Sequence, residues 1–446
     1  MITLMHYLKK YKPQLLVLIF LGYAPFLGES FRFYFLPISG FIIFAFLFTL
    51  FNLREFKQFL LERNSPQFWW ILIILYCLVV TLWNWGQHPS YATYLDLGSC
   101  FAMLFGLFFG SYLSIRITFE QLLLIFRMIL ALLFLKTLYI MVYQVIIPAD
   151  GTGFFVGGGQ GGFSVFPRII FRGENPFLIS IFLLEAGSFA LNKHKPFQIL
   201  VAAVSLLATG ALIALTGWRS IYFALVPSIL LLLIFCAIKK RALNKVIWIG
   251  LLFTLFFASI TWFNGRDALT IQSMSAWTQT AGMEKINTSN IPLLNNDILL
   301  QITRNQFPLL NSLSVALKIG EYLQIIHLVG DRYLTGLGMG ATYYSPGPAA
   351  IGNYVHSQPF WLYLKGGLIL LILFYSFIVW VLVKKYQAWK ADPQNQSILV
   401  SALILIALCV MDALTNQYPT LAGSFYLGFW TIFSQTLAQG SVKKGG

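Results

Sequence analysis

Apolar runs of about 17–25 residues recur along the chain, each long enough to cross the hydrocarbon core of a bilayer as a helix. Lipid offers backbone amides no hydrogen bonds, so a spanning segment must satisfy them internally, as a helix does. The runs near 13–28, 33–51, 67–85, 95–115, 121–147, 175–191, 197–215, 221–238, 246–264, 358–383, 397–415 and 419–437 predict an all-α polytopic membrane protein of about 12 transmembrane helices. Composition agrees: 58% of the 446 residues are hydrophobic, 10% are charged, and the mean hydropathy is +0.75. A water-soluble chain of this size has too little interior to hide so much apolar surface. Lys9, Lys10 and Lys12 precede the first run and no small-residue cleavage site follows it, so that run is expected to be the first span rather than a signal peptide.

The net charge of +15 invites a nucleic-acid reading, but its placement argues against one. With the N-terminus inside, 18 of the 30 basic residues fall in cytoplasmic segments, 9 on the opposite side and 3 within spans. That is the positive-inside bias of a multi-pass protein with both termini in the cytoplasm. The four cysteines, Cys77, Cys100, Cys236 and Cys409, fall in predicted spans, so disulfides are not expected to hold the outer loops.

Segments that interrupt the hydropathy pattern divide the chain into three parts. Residues 1–264 hold spans one to nine and include a Gly-rich outer loop at 148–174, suited to admitting a large ligand or to serving as a flexible connector. Residues 265–357 form a large outer loop, partly helical by its apolar spacing over 296–329, and 358–446 hold spans ten to twelve and a cytoplasmic tail. Within 197–238, the residues TGWRS break a stretch too long for one crossing and put Arg219 at the outer edge of two short spans.

His356 closes the large loop where it meets the membrane. An interfacial histidine has a bland explanation in its amphipathic ring; as a neutral imidazole it also suits a general base. Too few ligands accompany it for a zinc site, and neither a metal nor a cofactor is expected. Arg168, Arg172, Arg219, Arg266, Arg304 and Arg332 lie outside, where the cytoplasmic charge rule does not ask for them. Each alone is explained as a structural or snorkelling side chain; together they offer guanidinium forks that match phosphate. Asp412, Glu185, Lys136 and Lys365 are costly within spans and so candidates for function, although Glu185 can pair in the bundle and Lys365 lies close enough to a span end to snorkel. The GLGMG run, with Gly336 and Gly338, offers a tight turn and close backbone approach without a nucleotide-fold context.

The order of these features resembles the O-antigen ligase and polymerase superfamily of bacterial membrane glycosyltransferases. The features that carry it are about twelve spans with a large loop between the ninth and tenth, a G-x-G-x-G turn near the loop's end, and a histidine separated by ten intervening residues from a glycine, here His356 and Gly367. The resemblance covers nearly the whole chain. It implies an inner-membrane enzyme whose active site faces the periplasm. Such an enzyme moves a glycan from an undecaprenyl-pyrophosphate donor to another glycan or to lipid A–core, without metal. By position it makes His356 and Arg219 the catalytic pair, Arg168, Arg172, Arg219 and Arg332 the pyrophosphate ligands, and Asp412, Lys318, Gly336, Gly338 and Gly367 supporting residues. Two positions depart from the pattern: Phe223 stands where leucine follows the arginine, and Lys318 stands where an arginine is expected, keeping charge but losing the fork. The two outer loops favour polymerase over ligase. A lipid-linked oligosaccharide flippase or other transporter fits the span count too, although no repeated halves are evident.

Overall fold

The structure, a computed structural model, describes residues 13–16, 18–22, 40–62, 65–88, 90–146, 175–191, 195–216, 219–238, 313–345, 350–352, 355–392, 395–415 and 421–433. These residues are helical almost throughout. In chain order they form α1 (Gly40–Phe51), α2 (Leu53–Leu61), α3 (Pro66–Trp83), α4 (Ser90–Ser114), α5 (Phe119–Ile146), α6 (Asn175–Leu191), α7 (Pro196–Thr216), α8 (Arg219–Ile238), α9 (Leu313–Val329), α10 (Gln358–Ala391), α11 (Gln396–Thr415) and α12 (Leu421–Ile432). Between α9 and α10, β1 (Tyr343–Ser345) and β2 (Ala350–Gly352) pair antiparallel with Tyr343 opposite Gly352.

Among the described residues six helices are long and apolar enough to cross a membrane, and five shorter apolar helices accompany them. They coincide with the expected runs, apart from 246–264, which lies outside the described residues together with the 148–174 loop and the first part of the large loop. The break at TGWRS is present: α7 ends at Thr216 and α8 begins at Arg219. The short α2 is not among the apolar helices; its Phe59 is buried while Arg54 and Lys57 lie on its wetter faces.

Close packing explains the glycines in the bundle. Gly106 and Gly110, spaced as G-x-x-x-G on α4, lie against the backbone of α12, and Gly428 of α12 lies against that of α4. A methyl group on Gly106 would strike the Phe425 carbonyl, and one on Gly428 would strike that of Met103, so the two backbones touch. Small residues at this spacing permit the van der Waals packing that drives association in lipid, where hydrophobic burial adds little. Phe20, Phe41, Phe48, Phe105, Phe109 and Phe425 surround the seam with ring centroids 4.9–6.2 Å apart in successive edge-on, tilted or stacked pairs.

The direction of one helix pair follows from a single contact. Gln396 at the start of α11 donates to the Leu191 carbonyl at the end of α6 (3.0 Å), so these packed helices run antiparallel. Helix α8 packs against both α6 and α11. Ser228 Oγ of α8 donates to the Leu403 carbonyl of α11 (2.8 Å). Glu185 pairs within the bundle, as its cost in lipid requires: Arg127 Nε and Nη2 donate to its two oxygens at 2.6 and 2.7 Å.

Candidate functional site

Helix α10 is broken near its start. Gly367 has φ 64° and ψ −161°, a conformation essentially confined to glycine. The break frees backbone groups that would otherwise pair along the helix, and the turn after α9 takes them up. Leu337 and Gly338 donate to the carbonyls of Leu364 and Lys365, both at 2.9 Å. In return Leu368 and Ile369 donate to the carbonyls of Tyr333 and Leu334 at 2.8 and 3.1 Å. The Tyr76 hydroxyl donates to the Gly366 carbonyl (2.8 Å). A broken helix at membrane depth is tolerated when protein satisfies its backbone in this way.

The GLGMG run therefore supplies the close backbone approach its glycines suggest. Gly336, Gly338 and Gly340 have φ of 68°, 95° and 87°. A Cβ on Gly336 would lie 2.5 Å from the Gly367 nitrogen. Further contacts fasten the turn to the neighbouring helix ends. His88 Nε2 lies 2.6 Å from the Leu337 carbonyl, and Met339 N–H donates to Thr81 Oγ1 (3.2 Å).

Beneath the turn, Asp96 and Lys365 form a fully buried ion pair at 2.5 Å. Asp96 Oδ2 also accepts from Gly340 N–H (2.7 Å), and Lys365 Nζ donates to the Ala341 carbonyl (2.6 Å). Of the two readings open for Lys365, a costly polar residue within a span or a snorkelling side chain, the buried ion pair fits the first. The turn covers this stretch of α10, and a buried carboxylate supplies the counter-charge that water would have given.

His356 lies two residues before α10, held by one carboxylate on the loop helix. Glu321 of α9 is buried, and its Oε1 accepts from the Tyr343 hydroxyl at 2.5 Å and from His356 N–H at 2.9 Å. Its Oε2 lies 2.8 Å from His356 Nδ1. One side chain thereby ties α9, β1 and the entry to α10 together. The His356 side chain remains 42% exposed, in contrast to the 3% of Glu321. Beside them, the Tyr322 and Phe360 rings stack with centroids 4.1 Å apart and planes 1° from parallel. Burial raises the Tyr322 phenol above its ordinary pKa, helped by the Glu321 charge and opposed by a hydrogen bond with Ser357. Burial lowers the half-buried Lys318 ammonium, with Glu321 opposing the shift.

Of the other expected arginine and aspartate site residues, the structure describes the side chains of two, Arg332 and Asp412. Arg332 Nη1 donates to Asn84 Oδ1 (2.6 Å) and approaches Gln87 Oε1 (3.4 Å), so it fastens the turn to the end of α3. Asp412 is buried near the end of α11. Arg168 and Arg172 lie outside the described residues, as does the side chain of Arg219. Among the described residues no three His, Cys, Asp or Glu side chains converge as metal ligands.

Sequence reasoning passed over Glu321, Tyr343 and Asp96. The first carried a usable signal: Lys318, Glu321 and Tyr322, three and four residues apart, share one face of α9. Chemically the cluster is an imidazole oriented by a carboxylate, partly open, at the lip of a bundle whose helix ends carry further polar groups. Comparison with protein-family models gives no match, and comparison with curated proteins gives none either.

Proposed function

We propose that the chain is a glycosyltransferase of the bacterial inner membrane, with about twelve spans and both termini in the cytoplasm. Its site faces the periplasm. It transfers a glycan from an undecaprenyl-pyrophosphate donor to a sugar hydroxyl. The observation that carries this reading is the partly exposed His356, oriented by a buried carboxylate two residues before a helix long and apolar enough to cross a membrane. Such an imidazole suits proton removal from a hydroxyl, where positioned general bases contribute roughly 10²–10⁴-fold.

In the proposed step, the acceptor oxygen forms a bond to the donor's anomeric carbon and its proton passes to His356. The bond from that carbon to the pyrophosphate breaks, and its electron pair leaves with the undecaprenyl pyrophosphate. Arg219, with Arg168 and Arg172, binds the departing anion; its growing charge is what a guanidinium stabilises most. Arg332, whose guanidinium also donates to Asn84, is a further ligand for the pyrophosphate in this reading. Direct displacement inverts the anomeric configuration. Polymerisation, with a second lipid-linked glycan as acceptor, is preferred to ligation onto lipid A–core because two long outer segments suit two glycan chains.

The test is purified protein in vesicles supplied with a lipid-linked glycan and each acceptor. The expected product carries a new glycosidic bond of inverted configuration. Arg219→Ala is expected to weaken donor binding at least about tenfold, the loss of one charge-assisted hydrogen-bonded contact. Undiminished donor binding removes Arg219 from the pyrophosphate site. Movement of the glycan across the bilayer without bond formation selects the transporter reading instead.

A further inference from the structure

The Glu321 carboxylate has two oxygens in unequal surroundings, and the inequality determines which nitrogen of His356 holds a proton. Oε1 takes two donors, the Tyr343 hydroxyl and the His356 backbone N–H. Oε2 faces His356 Nδ1 at 2.8 Å. A carboxylate only accepts hydrogen bonds, so this contact requires a proton on Nδ1. In the neutral ring Nε2 then carries the lone pair.

We propose that Glu321 is a positioning residue that fixes His356 as the Nδ1–H tautomer, leaving Nε2 as the nitrogen that takes the acceptor hydroxyl's proton. The proposal rests on the transfer reading for its catalytic consequence; its structural half stands on the geometry alone. Glu321, on α9, is buried and takes hydrogen bonds from β1 and from the α10 entry. The ring therefore has no latitude to turn over without losing the Nδ1 contact. The backbone bond to His356 N–H fixes the main chain beside the ring as well.

The same inequality makes Glu321→Gln a sharp variant. Its amide oxygen must occupy the Oε1 position, because both donors there demand an acceptor. Its NH₂ then stands where Oε2 was and donates to Nδ1. That forces the ring proton onto Nε2, the wrong nitrogen for a base. Shape and packing change little. In a protease triad the equivalent carboxylate-to-amide change leaves the geometry intact and lowers kcat by about 10⁴ through the same inversion.

The experiment uses the full chain in lipid nanodiscs, with ¹⁵N-labelled histidine and His356→Ala to assign the signals, at a pH where the ring is neutral. The wild type is expected to show the Nδ1–H tautomer, and Glu321→Gln the Nε2–H tautomer. In the transfer assay Glu321→Gln is expected to lower kcat by roughly 10²–10⁴ while changing the donor KM only a few-fold. An Nε2–H tautomer in the wild type overturns the proposal, and that measurement needs no variant to fold. Retention of Nδ1–H in Glu321→Gln overturns it too. If the tautomer inverts as expected while the wild type forms no glycosidic bond, the positioning role stands and the transfer reading fails.

Discussion

Gly367→Ala is expected to cause a larger loss of thermal stability in detergent than any other single methyl addition described for this protein, and to abolish assembly of the His356 site. Two costs combine. The φ of 64° with ψ −161° falls where side chains are essentially excluded, a penalty of about 1–3 kcal/mol. A Cβ there would also strike the Leu334 backbone carbonyl, and it would lie 2.6 Å from Thr335 N, with no flexible side chain to give way. Moving that backbone breaks the four hydrogen bonds that fasten the turn to α10. Gly330→Ala provides the comparison: its φ is 48° but nothing lies within 4 Å of its Cβ. It should lose only about 1–2 kcal/mol, the conformational term alone. Equal losses in the two variants would show that the turn does not lean on the broken helix.

Asp96→Ala comes second. It leaves the Lys365 ammonium buried without its counter-charge and Gly340 N–H without its acceptor. Breaking one side of a buried pair costs about 3–5 kcal/mol, whereas removing both charges is often neutral. The double variant Asp96→Asn with Lys365→Met keeps an acceptor for Gly340 and removes both charges, and is expected to recover most of the lost stability. Chemical unfolding in detergent compares the three. A double variant no better than Asp96→Ala would mean that the charges themselves contribute the stability.

These two sites also show what a sequence conveys and what it withholds. Span positions are legible because apolar length is a local property, and the close approach at GLGMG is legible because repeated glycine points to backbone contact. The break at Gly367 is not: Gly366–Gly367 reads equally well as a permissive pair inside a span. Lys365 reads as a snorkelling side chain because its distance from the span end is visible, while the turn that covers it comes from residues 333–341. Glu321 and His356 are 35 residues apart, and nothing in either's neighbourhood names the other. His356 was legible through its place at the end of the large loop. The carboxylate that makes it a plausible base emerged only when α9 and the start of α10 were brought together.

In the proposed transfer, His356 removes a proton from the acceptor hydroxyl as the glycosidic bond forms. Purified wild-type protein and His356→Ala in vesicles, given lipid-linked glycan and a glycan acceptor, test it most directly. The wild type is expected to form a new inverted glycosidic bond, and His356→Ala to fall by roughly 10²–10⁴-fold, with both proteins unfolding at similar temperatures. Turnover by His356→Ala equal to that of the wild type, or glycan movement without any new bond, would contradict the account.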